Sequence, residues 1–199
     1  MNKLILTIAT TLALSGCGDG PGTNARDPAT DVGDEAAMAQ STGAVGASVG
    51  PVGNTADTYV ANAAISDLYE IASSRMALEK ASSPEVKKFA QQMITDHTAT
   101  SNQLKAALVE GNMKRTVPTT TDERHQAMLD ALKGLSGAAF DKAYLAQQAT
   151  AHQEALLLHG GYAGEGENDA LQKLAAATAP KIQHHADMVK QLAAAANAS

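Results

Sequence analysis

The spacing of apolar and polar positions changes character once along the chain, near Thr55. Beyond that point apolar residues return every three to four positions, the period that turns one face of an α-helix toward a core. Four long helices and one short one follow from this pattern and its punctuation. The first covers about Asp57 to Ala81. Ser83-Pro84-Glu85 then supplies an N-cap, a proline at the first helical position and an acid in the first turn, opening a second helix that ends at Gly111. After a loop containing Pro118, Thr120 and Glu123 stand three apart as a capping box for a short helix that closes at Gly134. The next runs from about Ser136 to His159 and is expected to stop at Gly160-Gly161, with a glycine-rich loop up to Gly166. Asn168 is a good N-cap for the last, which continues to about Ala195 with a kink or break at Pro180. Neither a period-two pattern nor an internal repeat is present. The fold class read from this is all-α, an up-and-down four-helix bundle over residues 55–199 with one short extra helix.

Before Thr55 the pattern is that of an exported, tethered protein. Lys3 is a positive leader, Leu4 to Leu14 a short apolar run, and Leu14-Ser15-Gly16-Cys17 the order at which a lipoprotein signal peptidase cuts, so residues 1–16 read as a signal peptide. The single cysteine, Cys17, has no internal disulfide partner and is expected to carry lipid that attaches the chain to a membrane. The apolar run is too short to span roughly 30 Å of hydrocarbon. Residues 17–54 are rich in Gly, Ala, Ser, Thr, Pro and Asp, with almost no large apolar side chain, and read as a disordered linker. As a flexible coil it would hold the domain roughly 30 to 36 Å from the membrane. The expected location is the periplasmic side of the cell envelope; Gly18, where an Asp resembles an inner-membrane retention signal, favours the outer membrane in a Gram-negative cell.

Composition narrows the picture. Only 3% of residues are aromatic and Trp is absent, so the core must be built from aliphatic side chains and much alanine, which suits close-packed helices. A net charge of -6 excludes a general nucleic-acid binder, which needs a basic face. No Ser/His/Asp order, phosphate-binding glycine loop or Cys/His zinc spacing is present, so no enzymatic reaction is indicated.

The chemistry lies on the apolar faces. His97 completes the series Met93 to Leu104 in the second helix, His152 stands between Ala149 and Leu156, and His185 between Ile182 and Val189. Its neighbour His184 points about 100° away, toward solvent. Glu70 lies in line with Ala63, Ser74 and Ala77. These four residues come from four different long helices and sit near mid-helix, so in an up-and-down bundle they converge on one layer. One carboxylate and three imidazoles suit a single Zn, Cu or Fe ion. Asp96, Asp141 and Tyr144 are the polar residues expected to support that set, with Asp141 capping its helix or bonding Tyr144. The alternative is a structural or protein-interaction lipoprotein in which the Glu/His layer satisfies itself and only fixes helix packing. Glu-x-x-His occurs nowhere, which excludes the carboxylate-rich di-iron arrangement. His125 and His159, near helix ends, are expected at the surface.

Glu70-Ile71, the run Val86-Lys87-Lys88-Phe89-Ala90-Gln91-Gln92-Met93-Ile94-Thr95-Asp96-His97, Phe140-Asp141-Lys142-Ala143-Tyr144 followed by His152, and Pro180 with His185 together resemble the bacterial family called domain of unknown function 4142. The resemblance covers about Thr55 to Leu192 and implies a ferritin-like helical bundle in an exported protein. It also implies a histidine five residues after the proline, which selects His185. It brings no activity with it.

Overall fold

The structure, a computed structural model, describes residues 54–198. The signal peptide, Cys17 and the linker expected before Asn54 lie outside the described residues. Five helices follow in order: α1 (Ala56–Lys80), α2 (Pro84–Glu110), α3 (Glu123–Lys133), α4 (Gly137–Glu165) and α5 (Asp169–Ala198), with no strand among the described residues.

Local chemistry fixes most of the ends. Thr55 caps α1 by accepting from the Thr58 amide, and Ser83 caps α2 by accepting from Val86 ahead of Pro84. Asn168 Oδ1 accepts from Leu171 N at 3.1 Å and starts α5. Three expectations are corrected. The cap of α3 is Asp122, which accepts from His125 N at 2.8 Å, and not Thr120; an Asp adjacent to the first helical residue reaches the orphan amide directly. Helix α4 runs through Gly160 and Gly161 to Glu165. Glycine raises the entropic cost of a helix without forbidding it, and the burial of Leu158, His159 and Tyr162 on the core side of α4 carries the helix onward. Finally, α5 does not break at Pro180, since one helix runs across it; neighbouring packing outweighs one missing hydrogen bond.

Helix α1 packs on α2 and α4, and α5 completes the square by packing on the same two. Contacts between Tyr59 and His159, Glu70 and Gln148, and Ser82 and Asp141 show α1 and α4 antiparallel. The α2–α4 connection crosses the bundle and carries α3, which packs against α1 and α4. This is the ferritin-like arrangement of four antiparallel neighbours with one long crossover.

Two large apolar clusters fill the interior, with a smaller third of Tyr69, Leu129 and Ala151 beside them. One contains Tyr59, Val60, Leu104, Leu158, Tyr162 and Leu171; the other contains Phe89, Met93, Leu132, Phe140, Leu145 and Val189. Between them α1 presents a run of buried polar residues, Asp67, Glu70, Ser73 and Ser74, on the face that a helix normally fills with hydrocarbon. Ile71, next to Glu70, is half-buried.

Candidate metal centre

Three imidazoles meet in this polar layer. His97 of α2, His152 of α4 and His185 of α5 are 2%, 1% and 0% exposed. Their ring centroids form a near-equilateral triangle: 6.1 Å from His97 to His152, 5.6 Å from His97 to His185 and 5.6 Å from His152 to His185. One nitrogen of each lies within 4.8 Å of the others, a grouping with the spacing of a metal-binding set among the described residues. Phe89 closes one side, its ring 6.5 Å from His152 and 6.4 Å from His185.

Each ring is held from behind by an oxygen. His97 Nδ1 donates to Asp67 Oδ1 at 2.8 Å, His152 Nδ1 donates to the Gln148 carbonyl at 2.8 Å, and His185 Nε2 donates to Asp96 Oδ2 at 2.9 Å. Such bonds fix both orientation and tautomer, leaving the opposite nitrogen bare. Those opposite atoms, His97 Nε2, His152 Nε2 and His185 Nδ1, are buried and have no hydrogen-bond partner. Asp67 is itself braced by Thr100 Oγ1 and Ser101 Oγ, each at 2.9 Å.

The electrostatics differ from ring to ring. Burial, with His97 nearby, pushes the His152 pKa down to about 3, so this ring is neutral. Burial also lowers His185, outweighing the hydrogen bond to Asp96. For His97 burial acts the same way, but the bond to Asp67 and its charge prevail and raise the pKa above the ordinary value. Asp96 is held below the usual carboxylate range: partial burial opposes this, and the bonds from His185 and Lys181 overcome it.

Three grouped imidazole nitrogens without a partner in a dry interior are costly unless something electron-poor sits among them. A single water offers two O–H donors to three acceptors and leaves one unsatisfied. A cation satisfies all three at once. Imidazole nitrogens bound at 2.0 to 2.1 Å to one ion stand roughly 3.3 to 3.5 Å apart in tetrahedral geometry, so closing on an ion requires the rings to converge by about 1 Å. The donor set suits copper, zinc, iron or nickel and not calcium or magnesium.

Glu70, expected as the fourth ligand, is not brought into this group. Its Oε2 accepts from Gln148 Nε2 at 2.6 Å, and Oε1 stands 3.7 Å from His152 Nδ1, the edge of the ring that faces the Gln148 carbonyl and not the bare nitrogen. Burial raises its pKa to about 7. Asp96 does support an imidazole, that of His185 across the helix interface, and not its sequence neighbour His97. Asp141 lies elsewhere: it accepts from Ser82 N at 3.1 Å, Ser82 Oγ at 2.6 Å and Ser83 N at 3.0 Å, pinning the α1–α2 turn. Tyr144 bonds Ser74 at 2.8 Å, one layer below the triad, and not Asp141.

His125 and His159 are buried, contrary to expectation. The His125 ring packs 5.1 Å from Tyr69 and pairs with Asp122, while His159 Nδ1 shares a hydrogen bond with the Tyr59 hydroxyl at 3.0 Å. His184 is exposed, as its helical phase requires. Asp67 and Gln148 were missed by sequence reasoning. Asp67 follows Ala63 by four positions and precedes Glu70 by three, so helical period alone carried the signal; Gln148 acts partly through its main-chain carbonyl, for which no side-chain pattern exists.

The family described as "Domain of unknown function (DUF4142)" matches residues 40–192. No curated protein matches the sequence. Among solved structures, "CopM in the Cu(II)-bound form" is similar at 25% identity and a TM-score of 0.59, covering 70% of this chain and 95% of that one. "CopM in the Ag-bound form (by co-crystallization)" is similar at 25% identity and a TM-score of 0.57, covering 69% of this chain and 93% of that one.

Proposed function

The chain belongs to the DUF4142 family, and from that premise we propose that it is an envelope protein that binds one transition-metal ion, copper foremost, between His97, His152 and His185. The observation that carries the reading is the set of three buried imidazole nitrogens without a partner, each belonging to a ring whose other nitrogen is anchored. A Glu/His layer that only fixed packing would saturate its own donors and acceptors, and this one does not. Imidazole alone accommodates zinc and iron as well as copper. Similarity to the Cu(II)-bound and Ag-bound CopM structures moves copper ahead of both. Bound there, the ion would act as a cross-link between α2, α4 and α5.

Titration of metal-free protein with Cu²⁺, Zn²⁺ and Fe²⁺, followed by elemental analysis after desalting, tests the proposal. One equivalent of copper is expected, with affinity at least tenfold weaker in each of His97→Ala, His152→Ala and His185→Ala. Undiminished uptake in the triple variant would sink the reading.

The lipid anchor is part of the same proposal, supported by Leu14-Ser15-Gly16-Cys17 and the short apolar run before it. Cells fed an alkyne-tagged fatty acid should label the protein, and Cys17→Ser should abolish the label; label retained in that variant would refute the anchor.

A further inference from the structure

The triad is sealed on most sides, yet an ion that binds there must arrive from water. Two apolar clusters lie above and below, with Phe89 and Met93 at 1% and 0% exposure on one side. Three oxygens stand behind the rings, and they differ in what lies beyond them. The Gln148 carbonyl belongs to a fully buried residue. Asp67 has 10% side-chain exposure, and both its oxygens are committed, one to His97 and Thr100 and the other to Ser101.

Asp96 is different. Its side chain is 22% exposed; Oδ2 accepts from His185, and Oδ1 accepts from Lys181 Nζ at 3.3 Å. Lys181 is itself 33% exposed and ends a long flexible stem. The sequence from solvent inward is therefore Lys181, Asp96, His185 and then the bare Nδ1 of His185 facing the other rings. Of the three oxygens behind the rings, only that of Asp96 combines an anionic group with a long, partly solvated outer side chain.

We infer that a cation reaches the triad through the α2–α5 interface, meeting Asp96 first once Lys181 has swung aside, and passing inward as the His185 ring turns. This rests on the metal-binding reading above and adds to it a route and a regulator of rate. Lys181 is a positive charge placed where the incoming ion must stand, so it screens the carboxylate and slows exchange in both directions. Rotation of His185 breaks one side-chain hydrogen bond, whereas moving His97 disturbs the whole Asp67 network.

The test mixes metal-free full-length protein with Cu²⁺ alone in a stopped-flow instrument, then follows loss of copper from the loaded protein to excess chelator. Lys181→Met should raise both rates roughly tenfold, the low end of what a local field does to association, and still bind one ion. Asp96→Asn should slow uptake, since the amide oxygen still accepts from His185 but no longer carries charge. Lys105→Met, an exposed lysine nine positions along α2 from Asp96, controls for net charge and should change neither rate. One ion bound with unchanged rates in Lys181→Met overturns the route while leaving the site standing, as does equal acceleration by Lys105→Met. Failure of the unmodified protein to take up any ion overturns both.

Discussion

Glu70 is the residue at which burial acts most plainly. It is 1% exposed, its pKa is raised to about 7, and its one strong partner is the neutral amide of Gln148. Between the ordinary value of 4.5 and about 7 the folded protein binds more protons at this group than the unfolded chain does. Stability at this residue is therefore lost as pH rises through that window and stays low above it. A shift from 4.5 to about 7 corresponds to about 3 kcal/mol. Glu70→Gln should raise unfolding free energy at pH 8 by up to about 3 kcal/mol and flatten the profile between pH 4.5 and 7, measured by urea denaturation across pH. A wild-type-like slope in the variant would show that the pH dependence lies in another group.

At the scale of the helices, α4 and its connections make separable predictions. Its glycines Gly160 and Gly164 have nothing within 4 Å of where a Cβ would stand, so Gly160→Ala and Gly164→Ala should each stabilise the protein by about 0.5 to 1 kcal/mol. Gly166, just past the helix end, is the opposite case, because a Cβ there would stand 2.6 Å from the Tyr162 carbonyl oxygen and closer still to its ring. Gly166→Ala should lower the melting temperature. Asp141 ties the start of α4 to the α1–α2 turn through three hydrogen bonds to one carboxylate. Asp141→Ala should cost about 3 kcal/mol, the range for losing charge-assisted bonds to main-chain amides, without altering metal stoichiometry. Loss of copper binding in that variant would place Asp141 in the centre after all.

Across the whole molecule the triad joins α2, α4 and α5, which are otherwise held by packing and by the ion pair of Asp96 with Lys181 between α2 and α5. A ligand that binds the folded state alone at about one hundred times its dissociation constant stabilises by about 2.7 kcal/mol, which for a chain of this size raises the melting temperature by roughly 5 to 10 °C. Saturating Cu²⁺ should produce that shift in the unmodified protein and none in His152→Ala. An equal shift in both would assign copper to a different site.

How much of this was legible in the sequence depends on whether a property is local. Helical period and end chemistry gave the five helices, because caps such as Ser83 and Asn168 and the 3–4 spacing act within a few residues. The same period turned His97, His152 and His185 inward and His184 outward. It also placed Glu70 on the core face, correctly, but could not say which neighbour its carboxylate would meet. That was decided by the rotation and height of α4 against α1, which put Gln148 in front of Glu70 and the Nδ1 edge of His152 beside it. The partners Asp67–His97 and Asp96–His185 join residues 30 and 89 positions apart, so no pattern along the chain encodes them. Which side chains are drawn into the interior is written along the chain, since it follows from the cost of exposing the apolar residues around them. Which nitrogen of His97 and of His185 is anchored and which is bare waits on the packed helices, because the oxygen comes from a different helix, Asp67 of α1 for one and Asp96 of α2 for the other.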